Sequence, residues 1–133
     1  MASDEVRTDR KYTKDHEWAK EEGREVLVGI TAFAVDQLGD ITLVNLDVKP
    51  GDEILAGKTF GTIESVKTLS DLFAPVSGKV TRVNGDLESA PEKVNEDVYG
   101  AGWMVAIEPS DASEVASLLD ASAYTELLKT AAH

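Results

Sequence analysis

No cysteine occurs among the 133 residues, so no disulfide can staple the fold, and any thiol chemistry must come from a prosthetic group rather than from the chain. Positive charge is scarce: thirteen Lys and Arg stand against twenty-five Asp and Glu, a formal charge of −12. That balance argues against nucleic acid and against anionic membrane surfaces, and it implies partners with basic patches. The two histidines, His16 and His133, lie too far apart in sequence for ligand spacing, so no metal site is expected. Gly57-Lys58-Thr59 is too short for a phosphate-binding loop, and no nucleophile triad is visible. No apolar run approaches the length of a membrane span, and the first residues lack the apolar segment of a signal peptide. A hydrophobic content of 42% is still enough for one domain with its own core.

What remains is a β-rich chain arranged about residues 59–78. Residues 59–65 and 69–76 can both be extended, and they flank a short polar centre, which predicts a hairpin with Val66, Lys67 and Thr68 at its tip. Pro75 cannot donate to a ladder and Gly78 suits a turn, so the second arm is expected to end there. The two flanks repeat each other. Gly39-Asp40-Ile41-Thr42-Leu43-Val44-Asn45 is matched thirty-nine residues later by Gly78-Lys79-Val80-Thr81-Arg82-Val83-Asn84. Gly51-Asp52 and Gly85-Asp86 follow the two copies, so two similar β halves joined by a hairpin are expected.

In chain order, a loosely fixed polar arm runs to about Lys14, and structure begins at His16. A hairpin follows, with Val26, Val28 and Ile30 alternating onto one face. Thr31 caps a short helix over 32–38 closed by Gly39, and Lys49-Pro50-Gly51-Asp52 suits a type II turn. Residues 80–83 form a strand, Gly85-Asp86 a turn, and 89–95 a loop broken by Pro91. Residues 103–107 read as a strand covered on both faces and ended by Pro109. Asp111 with Glu114 has the spacing of a capping box for a helix bearing Val115, Leu118 and Leu119. A second helix starts near Ser122 and carries Tyr124, Leu127 and Leu128, with Lys129 near its end.

Glu64-Ser65-Val66-Lys67, Ser70-Asp71 and Ala74-Pro75-Val76-Ser77-Gly78 resemble the lipoyl-lysine hairpin of the glycine cleavage system H proteins. The resemblance continues through Tyr12-Thr13, His16-Glu17-Trp18, Val28-Gly29-Ile30-Thr31, Leu38-Gly39-Asp40, Val94-Asn95 and Tyr99-Gly100-Ala101-Gly102-Trp103. One stretch departs from the pattern: Asn45-Leu46-Asp47-Val48-Lys49-Pro50 stands where a more acidic link bearing Leu-Pro is expected.

The resemblance implies a mostly β fold, a flattened barrel or sandwich of two antiparallel sheets of the lipoyl-domain type, with a short helix after Thr31 and C-terminal helices. The expected organisation is one lipoyl-carrier domain over 1–133: an arm at 1–14, a β core at 15–109 holding the hairpin 59–78, and helices at 110–133. It implies lipoate attached through an amide to Lys67, so the protein would be a carrier and not an enzyme. Its partners would be a pyridoxal-phosphate-dependent glycine decarboxylase, an aminomethyltransferase that uses tetrahydrofolate, a flavin-dependent dihydrolipoamide dehydrogenase and a lipoate-attaching enzyme. A monomer is expected, in the bacterial cytoplasm, or in the mitochondrial matrix if the chain is a mature eukaryotic one.

Three other readings of Lys67 stand beside this. A biotin carrier uses a similar hairpin, but its lysine typically lies between methionines, where Val66 and Thr68 stand here. An unmodified interaction module would leave Lys67 a solvated charge. A Schiff-base enzyme would need a desolvated amine, which a hairpin tip does not supply. Group carriers leave the hard chemistry to the cofactor and need the protein to position and protect it. A cationic aminomethyl cargo benefits from a water-poor recess with carboxylates nearby. Two acids in the matching motifs are the candidates, Glu17 and, four residues past Lys67, Asp71. The plain alternative for both is a solvated charge on a strand face.

Overall fold

The computed structural model describes residues 6–131. The first five residues of the predicted arm, and the last two of the chain with His133, lie outside them. Nine strands and five helices follow one another as β1 (Lys11–Tyr12), β2 (Glu17–Glu22), β3 (Glu25–Ile30), α1 (Ala32–Leu38), β4 (Ile41–Leu46), β5 (Glu53–Ile54), β6 (Thr59–Ser65), β7 (Leu69–Phe73), β8 (Gly78–Val83), α2 (Asp86–Ser89), α3 (Glu92–Glu96), β9 (Val105–Pro109), α4 (Ala112–Ala116) and α5 (Ala121–Ala131) among the described residues. The strands form two antiparallel sheets, one ordered β1-β2-β3-β9-β8-β5 and the other β4-β6-β7. Neither closes into a barrel. The chain is mostly β, as its alternating patterns require.

Alternation explains the packing. Val26, Val28 and Ile30 turn inward from β3, and Val44, Leu46, Phe60, Ile63 and Leu72 meet them from the smaller sheet in one apolar core. Met104, Val105, Ala106 and Ile107 are fully buried, as expected of a strand with neighbours on both sides, although the strand itself begins at Val105 and Trp103 stays outside it. Gly51 sits at φ +100° with Asp52 N–H donating to the Lys49 carbonyl, the hydrogen bond and positive φ of a type II turn.

The repeat is real at the level of backbone detail. Each copy carries a bulge at the same position, between Ile41 and Leu43 in β4 and between Val80 and Arg82 in β8. The extra residue is the shared threonine. Thr42 Oγ1 donates to the Glu64 carbonyl at 3.3 Å, and Thr81 Oγ1 lies 3.2 Å from the Ala106 carbonyl, in each case on the residue facing the one after the bulge. A bulge turns two consecutive side chains outward, so Leu43 and Arg82 are both exposed. The copies differ in surroundings, since β4 is an edge strand of the small sheet and β8 lies inside the large one.

Six expectations need correction. The arm is not loose up to Lys14: Tyr12 is fully buried, pairs with Trp18 in β1–β2 and bridges to Leu119, while Arg10 is buried with its guanidinium over Trp18. A polar composition hid the one aromatic that anchors it. Gly85-Asp86 and 89–95 form α2 and α3 rather than a turn and a loop, because Leu87 and Val94 are buried and acids occupy the first turns, where the helix dipole favours them. Gly78 starts β8 instead of making a turn; a Cβ there would run into the Glu108 carbonyl, so glycine is needed for close strand approach. The capping box is half formed: Asp111 accepts from Ser113 N–H, but the Glu114 carboxylate turns to Ser77 N–H at 2.7 Å and Ser77 Oγ at 3.2 Å. That helix also ends at Ala116, because Leu119 leaves it to bridge with Tyr12.

Candidate functional site

The tip between β6 and β7 is built on Ser65. Its N–H donates to the Thr68 carbonyl at 2.8 Å, and its hydroxyl accepts the N–H groups of Lys67 at 3.1 Å and Thr68 at 3.2 Å. A serine hydroxyl standing in for a backbone acceptor is a common way to close a tight turn. Lys67 is exposed, and no salt bridge among the described residues involves it. Val66 N–H donates to the Asp40 carbonyl at 3.1 Å, tying the tip to the junction of α1 and β4. Leu43, Val66 and Leu69, three of the four large hydrophobic residues left exposed among the described residues, lie at or beside this tip; Leu43, Glu64 and Leu69 form one outward row across the sheet.

Along the free edge of β7 run two clefts. The nearer, of about 160 Å³, is walled by His16, Glu17, Phe33, Leu38, Ile63 and Asp71 among others. The farther, of about 300 Å³, continues past Phe73 and Pro75 to Leu118 and Leu119. Glu17 lines both. Asp71, four positions beyond Lys67 in the chain and on β7, lines the nearer cleft, so the strand that leaves the tip runs along it.

The two candidate carboxylates meet different fates. Glu17 is 2% exposed, which excludes the solvated alternative for it. Its carboxylate accepts Thr13 Oγ1 at 2.7 Å and Phe73 N–H at 3.4 Å. Burial pushes its carboxyl up to about 7, against the opposing pull of the hydrogen bonds from Thr13 and Phe73. A cation brought beside such a group would favour its ionised form. Asp71 is exposed, opposite Thr62 on β6, and stands at the rim. The structure therefore brings Glu17 and Asp71 to one cleft, one as floor and one as edge.

His16 forms the wall between Glu17 and α5. It is the sole non-glycine residue with positive φ among the described ones, at +70°, a strain that the surroundings must hold. Thr31 N–H donates to its carbonyl and its own N–H to the Thr13 carbonyl. Its Nδ1 lies 2.8 Å from Tyr124 Oη, which lies 2.7 Å from Thr31 Oγ1. Thr31 Oγ1 accepts Ala34 N–H and is fully buried. Its proton therefore needs Tyr124 Oη as acceptor, Tyr124 in turn donates to Nδ1, and the histidine proton resides on Nε2. Burial holds the imidazole below its usual range, against the opposing pull of Asp15, and so favours its neutral form.

Sequence reasoning named Lys67, Glu17 and Asp71 but gave no role to Ser65 or Asp40. A serine two residues before a tip lysine is the signal that was there for Ser65. Asp40 acts through its carbonyl, which no side-chain pattern can announce.

The sequence profile of the family described as glycine cleavage H-protein matches residues 10–131. The glycine cleavage system H protein of Magnetococcus marinus is 54% identical over 119 residues, 90% of this chain and 84% of that protein. That of Bacillus licheniformis is 52% identical over 90% of this chain and 93% of its own length. That of Myxococcus xanthus is 50% identical over 96% and 98%. A crystal structure of a glycine cleavage system H protein from Mycobacterium marinum superposes with a TM-score of 0.82 at 39% identity, covering 96% of this chain and all of that one.

Proposed function

The chain belongs to the glycine cleavage H-protein family, lipoyl carriers of the glycine cleavage system, and on that premise we propose that Lys67 is the residue that bears lipoate here. The single observation that carries this reading is an exposed lysine on a serine-braced tip, next to a strand that lines a cleft with a buried carboxylate. The family role is that of a carrier, not of a catalyst. The lipoyl group supplies the dithiol, which the chain lacks.

The chain's residues do the rest. Lys67 Nζ offers the amine for the amide link, Ser65 braces the turn and the Asp40 carbonyl anchors it to the α1–β4 junction, and Glu17 and Asp71 receive the cationic end of a loaded arm. The apolar walls Phe33, Leu38 and Ile63 keep water from it. The cargo is the aminomethyl group of glycine, taken from the decarboxylase and surrendered to the aminomethyltransferase, with dihydrolipoamide dehydrogenase restoring the disulfide. A separate lipoate-attaching enzyme acts on Lys67, and the bacterial relatives support the cytoplasm as the compartment.

Intact mass after expression with lipoate and biotin supplied tests this reading, with a lipoyl adduct mapping to Lys67 as the expected result. Lys67→Arg keeps charge and bulk but offers no acylable amine; it should fold normally and give no stimulation of glycine decarboxylation. A biotin adduct, an unmodified chain, or normal stimulation by the variant would overturn the assignment.

A further inference from the structure

Asn95 lies on α3, far from Lys67 in sequence and outside the clefts, yet its amide clips the strand that supports the tip. Nδ2 donates to the Gly39 carbonyl at 3.0 Å and Oδ1 accepts Ile41 N–H at 2.9 Å. That pairing imitates a neighbouring strand at the edge where β4 has none. Between the two clipped residues stands Asp40, whose carbonyl holds Val66 N–H. Ile41 pairs with Ser65, the residue that braces the tip. Hydrogen bonds and strand pairing thus run without a break from α3 to the residues on either side of the lysine.

Gly39 completes the seat. It sits at φ +83°, where a side chain is strained. A Cβ added to it would lie 3.5 Å from Lys67 Cε, 3.8 Å from Lys67 Cδ and 3.7 Å from Val66 Cγ2. The lysine stem therefore rests over the bare glycine backbone. The Asn95 amide holds the carbonyl of that same glycine and, through Ile41 N–H, the far side of Asp40.

We propose that Asn95 is a positioning residue for the acylation of Lys67, acting through Gly39 and Asp40 to hold the lysine stem in the pose that a lipoate-attaching enzyme accepts. This rests on the reading of Lys67 as the lipoyl site. Asn95 is itself exposed, so its hydrogen bonds compete with water and contribute little to global stability; their effect is local, on the tip.

Asn95→Ala should melt near wild type while lowering kcat/KM for Lys67 acylation by purified lipoate-attaching enzyme by about fivefold, the factor one net hydrogen bond supplies. Gly39→Ala should lower it as well, and the pair should be non-additive, because both act on one seat. Glu96→Ala, on the same helix and also exposed, should change nothing. Amide exchange at Val66, which needs no lipoate, should quicken in Asn95→Ala and not in Glu96→Ala. Unchanged Val66 exchange, unchanged kcat/KM, equal losses in Glu96→Ala, or strict additivity with Gly39→Ala would each overturn the proposal. A wild-type chain that takes no lipoate at Lys67 would instead remove the carrier reading, and Val66 exchange would still decide whether the clip holds the tip.

Discussion

Glu17 Oε2 accepts the backbone N–H of Phe73 at 3.4 Å, joining β2 of the larger sheet to the free edge of β7 in the smaller one. The bond places a buried acid, rather than another strand, along β7 where the clefts lie. Because burial raises the carboxyl to about 7 from an ordinary 4.5, the folded protein holds a proton there that the unfolded chain releases.

The sign of the resulting pH dependence follows. Between about pH 4.5 and 7 the unfolded state binds fewer protons at this site than the folded one, so Glu17 lowers stability as pH rises through that window, by ~3 kcal/mol in total. Glu17→Gln cannot ionise. Urea unfolding at pH 5 and pH 8 should show the Gln variant gaining on wild type by ~3 kcal/mol between the two; a pH-independent difference would remove the buried ionisation.

Retention of the cargo depends on the same carboxylate. With lipoate attached and the one-carbon unit loaded, Glu17→Gln should shorten the half-life of the loaded protein by about tenfold, since a buried cation would lose its partner. Asp71→Asn, at the exposed rim, should shorten it by about twofold. The double variant should be worse than either. Half-lives equal to wild type in all three would exclude these carboxylates from protection.

Gly78 and Gly85 make a matched pair. Gly78→Ala would drive a Cβ into the Glu108 carbonyl and should cost ~3 kcal/mol, read as a lower urea midpoint. Gly85 has φ −63° and nothing within 4 Å of an added Cβ, so Gly85→Ala should stabilise by ~0.5 kcal/mol. Equal effects at the two sites would contradict the close approach of β8 to β9.

Tyr124→Phe removes the hydroxyl that serves Thr31 and His16 together. The loss should be ~2 kcal/mol, because a buried Thr31 hydroxyl is left without its acceptor. Nitrogen-15 spectra should report the Nε2–H tautomer of His16 in wild type and a mixture in the variant. An Nδ1–H tautomer in wild type would reverse the direction of the hydrogen-bond chain.

The candidate residues stand out in the sequence to different degrees. Lys67 is marked by two extended arms of comparable length, and Asp71 by the motif that it sits in, four residues past Lys67. Glu17 was named only through its motif. Its burial could not be read, because an acid beside Trp18 at a strand start has the same local pattern whether it faces water or the edge of another sheet. The loop over 89–95 was misread for a related reason: Pro91 suggested interruption, but proline fits the start of a helix as readily, and only the burial of Val94 decides between them.

The sequence by itself determined the β character, the lysine-bearing hairpin and the repeat, because alternation, turn residues and self-similarity are local properties. It even set the shared bulge at Thr42 and Thr81, since both copies carry the same residue at the same place. Only the tertiary structure decided what each copy became. Asn84 is buried, with its amide donating to the Ala101 and Trp103 carbonyls, while its counterpart Asn45 is exposed and donates to Asp47. One strand found neighbours on both sides and the other was left at an edge, where Asn95 reached across from α3. Hydrogen-bond partners that lie fifty or more residues away are set by how the sheets meet, and a single stretch of sequence carries no record of the groups that will face it.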